Sequence, residues 1–531
     1  MLVERSDVDP NKADSGDGRT PLSWAAENGH EGVVNILVER DDVDPNIADA
    51  QYSRTPLLLA VENGYERVVR ALLQRKDIKP NIAETEYGQA PLLLAVERHD
   101  ERTVRLLLQR EDVNPNTTDP EDGQAPLTVA AQNEYVGVVR MLLERRDTNP
   151  NTIDPEYGQT PLMIAADNGC EGSVRLLLER RDTDPNMGST SHGQTPLSLA
   201  ANNGHEGVVR LLLERNDVNP NIGDTQSNRT ALSLAAENGH EGVARMLLER
   251  HDIDPNIADT QSGRTPLSFA VESGCQGIVE ILLERSDIDP NVGGTEFSRT
   301  PLSLAAEFGR ERVVKILLER DAVDPNMADA KSGRTPLSMA AEKGREGVVR
   351  ILLERNDIDP NIADTQSGRT PLSFAAEHGY EGVVMMLLER DDVNPNITDT
   401  KYGRTPLSFA ALGGHEGVVM ILMQRDDVNI NIADTQDGMT PQSFAAKWGY
   451  DGISRTLLQP NDAILNANDT LGGRTLQSAF KNGYLRIARS LQEGADWIPV
   501  DADAANLQST GLVSAEPSDS SEPPSKKPRT F

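Results

Sequence analysis

Arg369–Arg404 reads RTPLSFAAEHGYEGVVMMLLERDDVNPNITDTKYGR, and this stretch decides the fold. Thr370 carries a side-chain oxygen that can cap a helix. Pro371 follows at the first helical position, where a missing N–H costs little and its fixed φ helps. Leu372, Phe374, Ala375 and Ala376 form an apolar side, and Gly379 can take the left-handed conformation that ends a helix. A second apolar set, Val383, Val384, Leu387 and Leu388, recurs at helical spacing and ends in Glu389 and Arg390, with the cation at the negative end of the helix dipole. The remainder, rich in Asp, Asn, Pro and Gly, has the chemistry of a turn or hairpin. The stretch therefore predicts two short helices and a projecting finger.

The same pattern recurs along the chain. The capping position falls every 35 residues from Thr20 to Thr475, fourteen times, and is Thr throughout except at Ala90 and Ala125. Helices of this length are marginal alone in water, where about 12 to 15 residues are needed, so each repeat must bury its apolar faces on its neighbours. The expected architecture is all-α, a solenoid of about 14 helix-turn-helix repeats with β-hairpin fingers. At roughly 8 to 10 Å per repeat, it offers a long concave surface.

Composition agrees. A chain of 531 residues exceeds one ordinary core, and 37% hydrophobic with 4% aromatic content suits a thin, extended one. The 84 acidic against 52 basic residues leave a charge of −32, which opposes binding to nucleic acid or anionic membranes. No apolar run of 18 residues occurs and the first residues resemble no signal peptide, so no membrane insertion is expected. Two cysteines, Cys170 and Cys275, fall at one repeat position three repeats apart, too far to bridge. The expected compartment is cytoplasmic, with the nucleus as an alternative.

The repeated Thr20-Pro21-Leu22-Ser23-Trp24-Ala25 and its copies resemble the ankyrin repeat, whose signature is T-P-L-H-x-A; segments such as Asn238 to Val243 and Leu247 to Arg250 agree with the second helix of that family. The resemblance implies a protein-binding scaffold. Two departures stand out. Ser, or Leu58, Leu93, Thr128 and Met163, replaces the usual His, and the period is 35 rather than about 33. The long, Ser-containing version is similar to arrays in filamentous fungi that accompany NACHT-type nucleotide-binding domains. That likeness implies an alternative role as the C-terminal recognition arm of a larger NTP-dependent, NLR-like receptor.

Residues 1–17 align with a second helix and finger, so a partial repeat is expected there, with the array over 18–497 and a C-terminal cap over about 473–497. The partial start suggests that the chain belongs to a longer protein. Residues 498–531, rich in Ser, Pro and acid, are expected to be disordered. Lys526, Lys527 and Arg529 form a basic cluster compatible with nuclear import, which supports a nuclear-adaptor alternative.

No catalytic constellation, cofactor motif or metal-ligand spacing emerges. His30, His205, His240 and His415 share one repeat position that Tyr, Cys or Arg fills elsewhere, which reads as structural. Asp42, Asp44 and Asn46 resemble the start of a calcium loop, but Ile47 stands where Gly is needed and Ser53 where a bidentate Glu should be. A protein partner is the expected ligand, met by a monomeric array. The candidates are aromatics three before the cap, Tyr52, Tyr87, Tyr157, His192, Phe297 and Tyr402. They either pack on neighbouring fingers or contact a partner. Gln89, Gln124, Gln159 and Gln194 interrupt a mostly Arg series immediately before the cap, setting repeats two to six apart. Phe308, Leu412 and Trp448 suggest a second apolar contact area.

Overall fold

The structure is a computed structural model that describes residues 9–86, 88–119, 123–292 and 299–458. These residues hold 26 helices, from Pro21–Glu27 to Asp451–Leu458, in thirteen pairs. The expected fourteenth repeat, the C-terminal cap, the acidic tail, Tyr87, Phe297, Lys526, Lys527 and Arg529 lie outside the described residues. No helix among those described is long and apolar enough to cross a membrane.

Each first helix starts as the sequence requires. The Thr20 hydroxyl accepts the Ser23 N–H at 3.1 Å, Thr195 does the same for Ser198 at 3.2 Å, and Pro occupies the first turn. Ser in place of His brings its hydroxyl to that of the cap, at 3.0 Å for Thr20 and Ser23 and 3.2 Å for Thr230 and Ser233. Ala90 and Ala125 provide no such cap. Gly204 and Gly239 close their helices at φ 74° and 77°.

Contacts divide the chain into two compact units, Met1–Ala375 with Met385–Val393, and Ala376–Val384 with Asn394–Phe531. In the first, first helices pack on first helices and second on second, as Pro126–Gln132 does on Pro161–Asp167 and Val136–Glu144 on Glu171–Glu179. Ala130, Ala131, Val138, Val139 and Leu142 are fully buried in this sandwich. In the second, Pro406–Gly413 packs on Pro441–Trp448 and Glu416–Leu422 on Asp451–Leu458, around Phe409, Phe444 and Val419.

The expected β-hairpin fingers are hydrogen-bonded turns, and no strand occurs among the described residues. Two backbone bonds close the turn before Thr160, from Asp154 N–H to the Gln159 carbonyl and from Gly158 N–H to the Asp154 carbonyl, both at 3.0 Å, and one joins it to the next finger, from Thr190 N–H to Gly158 O at 3.1 Å. A closed turn with one bond to its neighbour makes no ladder.

Side chains stitch the repeats in both directions. Arg110 donates to the carbonyls of Leu73 and Arg75 in the preceding repeat at 2.7 and 2.9 Å, and Arg180 to those of Leu143 and Arg145, both at 3.0 Å. Asn116 reaches the other way, donating to Asp147 O at 2.7 Å while its own oxygen accepts Asn149 N–H at 2.7 Å. Each of these arginines also grips the aspartate two residues on, as in Arg110 with Asp112 and Arg180 with Asp182. Hydrogen bonding from the arginine holds Asp112, Asp147, Asp182 and Asp217 below the ordinary aspartate value of 3.8.

A folded-state pKa below the unfolded one gives stability that is complete above the unfolded value and fades as pH falls through the folded one. The thermal midpoint should therefore stay level from neutrality to about pH 5 and drop below about pH 4. Melts followed by circular dichroism from pH 7 to 3 check this. A midpoint that climbs on acidification would mean that relief of the −32 charge outweighs the pairs.

Candidate functional site: the finger and first-helix surface of the fourth to sixth repeats

Counting from Thr20, the fourth repeat begins at Ala125, the fifth at Thr160 and the sixth at Thr195. The finger before each cap is held by a buried polar side chain. Asp154 accepts the Tyr157 N–H at 2.6 Å and the Gln159 N–H at 2.7 Å, which fixes where both side chains leave the turn. Gly158, at φ 66°, allows the reversal between them.

The candidate aromatics separate according to their neighbour. Tyr52 is half-buried with the Arg54 guanidinium 4.7 Å over its ring, and Tyr402 is half-buried under Arg404 at 4.5 Å. Both are thus packed by their own finger. Tyr157 precedes Gln159 instead and is 57% exposed, and His192, before Gln194, is exposed with its Nδ1 2.8 Å from Ser191 Oγ.

The residue before the cap shows what the glutamines change. Where it is Arg and a Glu stands seven residues after the cap, the two pair, as in Arg229 with Glu237 at 2.7 Å, Arg264 with Glu272 at 2.6 Å and Arg334 with Glu342 at 2.7 Å. Where the next repeat presents a ring, the guanidinium lies over it, Arg229 over Phe269 at 5.0 Å and Arg334 over Phe374 at 4.7 Å. Gln89 keeps half of this, donating to Glu97 at 2.8 Å. From the fourth repeat to the sixth, both members change together, to Gln124 with Gln132, Gln159 with Asp167 and Gln194 with Asn202, and the ring positions become Ile164, Leu199 and Leu234.

A cleft of about 150 Å³ opens in this region, lined by Gln124, Thr128, Gln132, Tyr157, Ile164 and Asp167, with Asp154 and Glu156 beside them. Its lining holds three carboxylates and no cation. The Thr128 hydroxyl is buried without a hydrogen-bond partner among the described residues. Ala125 explains this, because elsewhere the residue at the Thr128 position reaches the hydroxyl of a capping Thr, as Ser338 does at Thr335. Gln132, Asp167, Asn202 and Thr128 are absent from the candidates named from sequence. Their signal was there, in the joint change of two columns of the repeat, and reading the columns singly hides it.

The remaining candidates lie apart from the cleft. Phe308 is 37% exposed in the first compact unit; in the second, Trp448 is 53% exposed and Leu412 half-buried on adjacent first helices. The histidine position has a structural use. His205 and His240 meet the carbonyls of Asp167 and Asn202 in the preceding repeat at 2.8 and 2.9 Å, and Arg310 and Cys170 reach the same register at Glu272 and Gln132. Both cysteines are free, and burial raises both thiol pKa values. The residues that resemble a calcium loop bond backbone: Asp44 accepts Asn46 N–H at 2.9 Å, and Asn46 donates to Asp77 O at 2.8 Å.

Among curated proteins none matches the chain. The family model described as ankyrin repeats, three copies, matches residues 1–84, 92–188, 146–224, 183–259, 218–294, 289–364 and 358–434. With helix pairs recurring every 35 residues across the same stretches, the chain belongs to the ankyrin-repeat family.

Proposed function

We propose that this chain is a non-enzymatic scaffold that binds a partner protein on its finger and first-helix surface, principally through the third to sixth repeats. Ankyrin repeats are generally protein–protein interaction modules, and the question for this chain is where the contact lies. One observation carries the placement: the Arg–Glu pairing that closes this surface in repeats such as the seventh, eighth and tenth gives way, from Gln124 to Asn202, to uncharged or unpaired side chains, with Tyr157 standing 57% exposed among them. Amide and tyrosine groups form hydrogen bonds and bury area without the desolvation that a charged pair demands. Tyr52 and Tyr402, already covered by their own arginines, contribute less.

Proteins captured by the full chain from lysate and identified by mass spectrometry should include at least one whose recovery falls about tenfold with Tyr157→Ala, a loss typical of an exposed interface tyrosine. The melting curve should stay unchanged. A Tyr52→Ala, Tyr87→Ala, Tyr157→Ala chain that melts normally and still captures the whole set would remove this surface from consideration.

A further inference from the structure

The cleft between the fourth and fifth repeats lies where the array elsewhere keeps an arginine of its own. At Arg229 and Arg334 the guanidinium rests over the next repeat's ring and donates to a glutamate at 2.7 Å. Gln124 occupies that register in the fourth repeat and is shorter, Ile164 replaces the ring beneath, and the space between them is the cleft of about 150 Å³. Pockets that enclose a small molecule run to about 300–1,000 Å³. This one has room for a single side chain of something larger.

Its walls specify that side chain. Glu156 and Asp167 bring carboxylates, no basic residue lines the cleft, and Asp167 Oδ1 is shared with the Asn203 amide at 2.8 Å. Gln124 and Gln132 add amide oxygens. Thr128, 1% exposed, contributes a buried hydroxyl with no partner among the described residues, a group that costs free energy until a ligand meets it. Several acceptors around one narrow slot, above an aliphatic floor, match a planar fork of five donors on an apolar stem. A lysine offers a compact, strongly hydrated charge with three donors, which uses this arrangement less fully.

We infer that the cleft receives an arginine side chain from the partner protein, its guanidinium taking in trans the place that Arg229 and Arg334 fill in cis. This rests on the protein-binding reading and adds to it the chemistry of the partner's anchor. The chain's charge of −32 favours approach of such a basic segment.

Random dodecapeptides displayed on phage, selected on the immobilised full chain and then measured by calorimetry, test it. Selected peptides should share an arginine, and its replacement by citrulline, a neutral near-isostere, should weaken binding about tenfold or more. Gln124→Arg lets the chain fill its own cleft with a residue native to that register, and should weaken binding as much with an unchanged melting midpoint; Asp167→Asn should act in the same direction. Selected peptides that lack arginine, or that bind Gln124→Arg as tightly as the unaltered chain, overturn the cleft assignment and leave the protein-binding reading standing. Absence of any saturable peptide also overturns the assignment. The protein-binding reading falls only if the tyrosine variants capture the full set of proteins as well.

Discussion

Arg145→Ala should destabilise the array by about 3 kcal/mol, far more than surface arginines usually contribute. The side chain bonds Asp147 at 2.6 and 2.8 Å and reaches back to the carbonyls of Arg110 at 2.7 Å, Val113 at 3.0 Å and Leu108 at 3.3 Å. The ion pair is the minor part, since the Asp147 side chain is 52% exposed and such pairs contribute about 0–1 kcal/mol. Loss of the donor leaves carbonyls in a half-buried seam without partners, at about 1 kcal/mol or more each. Asp147→Ala should cost less, about 1 kcal/mol, because the arginine keeps its donors and loses only the carboxylate that orients it toward the seam. The chain contains its own comparison. At the ninth repeat Ala322 stands in the aspartate's place, and Arg320 is exposed and makes none of these bonds among the described residues. Ala322→Asp should recover about 0.5–1 kcal/mol by orienting Arg320 toward the seam. Urea unfolding followed by circular dichroism measures all three; equal losses for Arg145→Ala and Asp147→Ala would show that the ion pair, not the carbonyl seam, holds the repeats.

The helices were legible because a 35-residue period repeats one start signal and one stop signal, so the pattern of Thr370-Pro371 can be read nine more times elsewhere and that of Gly204 ten more times. The finger was half legible. Its turn chemistry is in the sequence, but whether successive turns form a ladder depends on how many backbone bonds close between repeats, a tertiary matter that a single repeat does not encode. The candidate site was less legible still. A tyrosine three before the cap looks identical at Tyr52 and Tyr157, and only the residue two places on, Arg54 against Gln159, determines whether the ring is covered. The Arg110 and Asn116 seams join residues about 31 to 37 apart, so one repeat read alone shows turn-forming Asp, Pro and Asn where the array has inter-repeat bonds.

Gly123→Ala should be among the most damaging single-methyl changes in the chain, at about 3 kcal/mol or more, whereas Gly64→Ala should cost about 1 kcal/mol. Both glycines are left-handed, at φ 64° and 71°, so backbone strain is nearly the same. That strain alone does not forbid a side chain at the Gly123 register, because Ser53 and Asn228 hold φ 58° there. Surroundings make the difference. A Cβ on Gly64 meets nothing within 4 Å, but one on Gly123 would overlap Cγ and Cδ of Pro155 in the next finger. A proline ring cannot swing aside by a rotamer change, so the finger backbone must move. Asp154 adjoins that ring and holds the N–H groups of Tyr157 and Gln159, which line the cleft. Gly123→Ala should accordingly weaken Tyr157-dependent capture as well as stability, and adding Pro155→Ala, which removes the obstructing ring atoms, should restore much of both. Equal losses for Gly123→Ala and Gly64→Ala in urea unfolding, or a double variant no better than the single one, would show that the finger yields and that the Pro155 ring does not set its position.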